Sequence, residues 1–202
     1  MAKENKALQL IHDEILNDPQ NRAFIDAGQM PLYQVSLTAK IIIIGQAPGN
    51  EAMLKRKAWA DKSGARLKEW LNLSDDIFYD ASKVAILPLD FFYPGKGKSG
   101  DLPPRPSFYN KYLMRIVSLL KMIELIVLVG GYAQKFYLKD GVKENLTATI
   151  KAYEEYLPRV IVLPHPSPLN FRWLNKNPWF MNETLPRVKE RMNEVISSFR
   201  SE

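Results

Sequence analysis

Four consecutive isoleucines, Ile41–Ile44, run straight into Gly45-Gln46-Ala47-Pro48-Gly49. A β-branched run without polar alternation is a strand buried on both faces, the situation of a covered parallel sheet. The pattern recurs at Val160–Leu163, which ends in Pro164-His165-Pro166-Ser167-Pro168-Leu169-Asn170. Apolar segments at 83–89 and 125–130 supply two more strands, and the two runs above extend to 40–45 and 159–163. Helical periodicity separates them. It covers 4–17 (Leu8, Leu10, Ile11 and Ile15), 62–73 (Leu67, Trp70, Leu71 and Leu73, opened by Ser63-Gly64), 109–122, a short stretch from Tyr132, 147–156 and 178–200, the last restarting near Pro186. Alternation of this kind predicts an α/β fold: a three-layer α/β/α architecture on a central, mostly parallel four-stranded sheet. No internal repeat or long linker divides the 202 residues, so a single domain is expected. In such sheets ligands bind outside the carboxyl ends of the strands, where both glycine- and proline-rich loops fall.

Composition narrows the chemistry. Cysteine is absent, which excludes disulfides, thiolate catalysis and cysteine-held zinc or iron–sulfur clusters. The formal net charge of +6 favours an acidic partner, of which nucleic acid is the commonest. No stretch reaches the roughly 18 apolar residues of a membrane span. The opening Met-Ala-Lys-Glu-Asn-Lys is unlike a secretory signal, so a cytoplasmic protein is expected.

The first loop brings backbone N–H groups close to an anion or a planar ring, or is simply a tight turn between a strand and a helix. In the second, Pro164, Pro166 and Pro168 stiffen the backbone around His165, the one histidine outside the N-terminal helix, and are expected to hold it exposed in a set direction. His12, on a surface helix, is assigned no role.

Together, Gly-Gln-Ala-Pro-Gly and His-Pro-Ser-Pro-Leu-Asn resemble the two signature motifs of the uracil-DNA glycosylase superfamily. The resemblance runs from about residue 40 to 185. Within it, Trp59-Ala60-Asp61-Lys62-Ser63-Gly64 is similar to the aromatic–x–x–Asp–x–Ser–Gly stretch of the branch with broad specificity for deaminated bases. Tyr93-Pro94-Gly95, the segment 100–105 and Lys176-Asn177-Pro178-Trp179-Phe180 look like those of a bacterial subgroup.

The resemblance implies a monomeric glycosylase that acts on DNA carrying uracil or another deaminated base, with no metal or other cofactor. His165 and the backbone N–H groups of Gln46 and Ala47 would stabilise the departing base, within a first loop, 45–49, that includes Gly45, Pro48 and Gly49. Trp59 would stack on a flipped base, or it is a core tryptophan. Asp61 would handle water, with Glu51 second, or Asp61 merely caps a helix. Leu169 would wedge the duplex from a loop that includes Ser167, Pro168 and Asn170. Lys96, Lys98 and Arg105 in the long loop 93–106 are candidate phosphate contacts, or solvated charges.

Three departures from the pattern matter. Ala47 stands where the best-known branch has its carboxylate. Leu87-Pro88-Leu89-Asp90 stands where uracil-specific branches carry a base-reading asparagine, and the four-cysteine cluster of several branches is missing. These leave a non-catalytic nucleic-acid-binding member of the fold as the alternative. A phosphate-binding ATPase loop ending in Gly97-Lys98-Ser99 would require glycine at 92, where the chain has Phe92.

Overall fold

A computed structural model describes residues 2–98 and 100–199. Strands β1 (Ile41–Ile44), β2 (Val84–Ile86), β3 (Leu125–Val129) and β4 (Val160–Leu163) form one sheet, parallel throughout, in the order β2-β1-β3-β4. The central strand β1 pairs on both sides: Ile41 lies opposite Val84 and Leu125, and Ile43 opposite Ile86 and Val127. Every residue of the four strands is buried, as the unbroken apolar runs require.

The two-residue period of the strands divides the core into two layers. Ile42, Ile44, Ile126, Leu128 and Val162 face the helix Ala2–Asn17 (through Ile11 and Ile15), together with Phe91, Phe92, Phe108 and Tyr112. Ile41, Ile43, Val127, Ile161 and Leu163 face the helices Lys62–Leu71 and Leu185–Ser198, which contribute Leu67, Trp70, Leu71, Val188, Met192 and Val195. Each such side chain removed from water contributes about 1.5–3 kcal/mol, and this stacks helices on both faces of the sheet. No helix among the described residues is long and apolar enough to cross a membrane.

Helix ends depart from the periodicity where local backbone decides them. The helix expected over 62–73 stops at Leu71 because Asn72 turns left-handed (φ 52°) and caps it, although Leu73 is still buried. The segment expected over 109–122 starts earlier, at Pro106, widens into a π-turn over Tyr109–Leu113 and ends at Leu119. The segment 147–156 divides into Leu146–Lys151 and a 3-10 turn, Tyr153–Glu155. The last helix starts afresh at Leu185, with Pro186 in its first turn, after a π-turn over Phe180–Thr184. Ser99 of the long loop and Arg200 of the last expected helix lie outside the described residues.

Because the strands are parallel, the segments after β1, β2, β3 and β4 all emerge at one edge of the sheet. The two motif loops, far apart in sequence, therefore meet there.

Candidate active site

A cavity of about 150 Å³ opens at that edge. Gly45, Ala47, Pro48 and Gly49 form one side, Trp59, Asp61 and Ser63 the next, and His165 with Ser167 a third. Ile86 and Pro88, at the end of β2, make an apolar wall, and Asp101 from the long loop completes the lining.

Trp59 is held by two glycines. Its backbone is left-handed (φ 56°), an unfavourable conformation for a bulky residue. A Cβ on Gly45 would stand 2.9 Å from the indole Cζ2, so the indole lies directly on the first motif loop. A Cβ on Gly64 would stand 1.7 Å from the Trp59 carbonyl oxygen, so the helix can begin beneath this turn only with glycine there. Asp61 caps that helix, its Oδ1 accepting from the Gly64 N–H at 2.8 Å. Its Oδ2 faces Gly49, 3.7 Å from where a Cβ on that residue would stand. The same side chain thus serves as a helix cap and lines the cavity.

His165 is half-buried rather than exposed, because Pro164 and Pro166 on either side of it are buried and draw the loop onto the sheet. Its ring lies 5.8 Å from that of Trp59, tilted by 35°. Nδ1 accepts from the Ser167 N–H at 3.2 Å, which leaves the proton of a neutral ring on Nε2. Burial pushes the imidazole below its ordinary pKa, against the opposing pull of Asp61 and Asp101, and this favours the neutral form. The loop is further braced. Asn170 donates its amide to the His165 carbonyl at 2.7 Å, and Arg66 donates to the Ser167 carbonyl at 3.2 Å. The Ser167 hydroxyl accepts from the Leu169 N–H, and Pro168 and Leu169 project outward, Leu169 with 80% of its surface exposed. Sequence reasoning missed Arg66, whose helical position carries no sign of a partner 101 residues away.

Other candidates fall elsewhere. Glu51 is exposed, bound by the Lys55 ammonium at 2.6 Å, and does not line the cavity. Gln46 turns its side-chain amide to the Leu102 carbonyl, 3.0 Å away, and borders a neighbouring cavity beneath Gly130. Lys96 and Lys98 are exposed.

Arg105 corrects the expectation of a phosphate contact, because its guanidinium is used inside the fold. Nε and Nη2 grip the two oxygens of Asp90 at 2.6 and 2.9 Å, Nη1 reaches Asn21 and the Gln20 carbonyl, and the plane lies 4.5 Å from the Phe24 ring centre. Asp90 is fully buried, and its charge has to be matched inside the protein.

In all, the cavity holds a planar aromatic ring, an imidazole, a carboxylate and tight glycine–proline backbone at the carboxyl edge of a parallel sheet. The model of the Uracil DNA glycosylase superfamily matches residues 32–189, which takes in the whole sheet and every cavity residue above. The chain therefore belongs to the uracil-DNA glycosylase superfamily.

Proposed function

We propose that the protein is a monofunctional DNA glycosylase that hydrolyses the N-glycosidic bond of uracil or another deaminated base. The observation that carries this reading is His165, its Nδ1 occupied by the Ser167 N–H so that Nε2 is left to donate, in one cavity with Trp59 and Asp61.

The base leaves the duplex and stacks on Trp59, which recovers about 1–3 kcal/mol of the unstacking cost. Leu169 enters the gap left behind. As the bond between the sugar C1′ and the base nitrogen breaks, its electron pair goes to the base and positive charge grows on the deoxyribose. His165 Nε2–H and the backbone N–H groups of Gln46 and Ala47 hold the base anion through fixed hydrogen bonds aimed at where its charge develops. Asp61 offsets the cationic sugar, orients a water molecule and takes its proton as the oxygen bonds to C1′. Asp61 then releases that proton to solvent and the base anion takes one up, so the products are the free base and an abasic site. Lys96 and Lys98, exposed on the hairpin that carries Asp101, contact the DNA phosphates. No step calls for a cofactor, and a monomer acting in the cytoplasm completes the reading.

Labelled duplexes containing uracil, hypoxanthine or xanthine, cleaved by alkali after incubation, test it. Strand scission is expected with at least one base and is expected to vanish in His165→Ala. Asp61→Asn retains the helix cap but not the charge, so a loss of about 10²–10⁴-fold in rate with DNA binding intact is expected. Tight DNA binding without scission of any base would instead identify a binding protein built on this fold.

A further inference from the structure

Asp101 has no part in the steps above, yet it lines the cavity. The long loop presents it from a small hairpin. Gly97 N–H donates to the Gly100 carbonyl at 2.8 Å, Leu102 N–H to the Gly95 carbonyl at 2.9 Å, and Lys96 bridges Asp101 in antiparallel fashion. Gly95 (φ 100°) and Gly100 (φ 85°) supply the left-handed corners. The Gln46 amide, bound to the Leu102 carbonyl, ties the hairpin to the first motif loop, so the position of Asp101 is coupled to the cavity floor. One carboxylate oxygen accepts from the Tyr93 hydroxyl at 3.2 Å, and the other has no partner among the described residues. The end of β2 contributes only Ile86 and Pro88, because Asp90 is turned into the core by Arg105. Among the described residues Asp61 and Asp101 are the carboxylates that line the cavity, and Asp61 already serves the hydrolysis, which leaves Asp101 to meet a base edge.

We propose that Asp101 selects the base, its open oxygen accepting a hydrogen bond from the ring N–H that deamination creates. A carboxylate has acceptors only. In cytosine and adenine the ring nitrogen beside the amino-bearing carbon carries a lone pair. In uracil and hypoxanthine the same nitrogen carries a proton. One acceptor therefore attracts the deaminated pyrimidine and purine alike and repels both parents, with no amide needed to read a particular ring. The inference rests on the glycosylase reading of the same site.

The test compares release of uracil, 3-methyluracil and cytosine from otherwise identical duplexes. Methylation replaces the N–H in question with N–CH3. For the wild-type protein, kcat/KM for uracil is expected to exceed that for 3-methyluracil by at least about tenfold. In Asp101→Ala the ratio is expected to fall toward unity. In Asp101→Asn, whose amide can also donate to a lone pair, cytosine release is expected to become measurable. Each ratio is internal to one variant, so partial loss of folded protein cancels. An unchanged uracil to 3-methyluracil ratio in Asp101→Ala overturns this inference and leaves the glycosylase reading intact. No release of any base by the wild-type protein overturns both.

Discussion

At position 64 even a methyl group has no room. The Cβ of Gly64→Ala would lie 1.7 Å from a backbone oxygen, and backbone cannot swing aside as a side chain can. The variant is expected to lose more than the 1–3 kcal/mol (about that range) typical of overpacking, read as a lower midpoint in urea, and to lose base binding as Trp59 is displaced. This contact shows how far single residues were legible. Gly45 and His165 were named from the loops that carry them, Trp59 and Asp61 from the family resemblance, and all four line one cavity. The dependence of Trp59 on Gly64 was not legible, since Ser63-Gly64 reads as an ordinary helix opening. Nor was Asp101, one carboxylate in a loop of glycines, prolines and lysines, because its relevance comes from where the loop folds back.

At the scale of elements, the segment 93–106 contains two devices that look alike in sequence. Its glycine-rich part is the hairpin over the cavity, and its end, Arg105, is a clamp that fastens the loop to Asp90 after β2 and to the turn after the first helix. Removing the clamp leaves a carboxylate with no exposure and no counter-charge. Arg105→Ala is therefore expected to destabilise the fold by about 3–5 kcal/mol in denaturant titration. A merely solvated phosphate contact would cost stability almost nothing on removal, and would weaken DNA binding instead. Charge alone cannot tell the two apart in a sequence. What separates them is the buried partner, fifteen residues upstream of the arginine. Strands fared better. The expected ranges 40–45, 83–89, 125–130 and 159–163 all contain the observed strands, because burial on both faces leaves an unbroken apolar run. Helix ends were less legible, since Asn72 and the π-turn at Tyr109–Leu113 follow local backbone geometry that apolar spacing does not encode.

Across the whole molecule, the first helix is joined to the rest by a charged contact as well as by its apolar face. Asp18, just beyond that helix, is buried, which by itself would raise its pKa. Hydrogen bonds from Lys111 and Tyr112 outweigh this and bring it down to about 2, from an ordinary value of 3.8. A carboxyl with a depressed folded pKa contributes stability that is complete above its unfolded value and is lost as pH falls through the folded one. Asp18 therefore stabilises the fold fully above about pH 4, and its contribution disappears toward pH 2. Asp18→Asn is expected to flatten the fall in melting temperature over that window relative to the wild-type protein.

By itself the sequence determined the layer order, the parallel sheet and the two loops that carry the site, since these follow from apolar periodicity and from glycine and proline, which act on their own backbone. Tertiary structure alone decided which charged groups share the cavity and which hold the fold. Asp61 and Asp101 face the cavity, Glu51 faces solvent and Lys55, and Asp90 with Arg105 is turned inward. The physical reason is that a charged side chain takes its role from its partners and its solvation, and the fold supplies both.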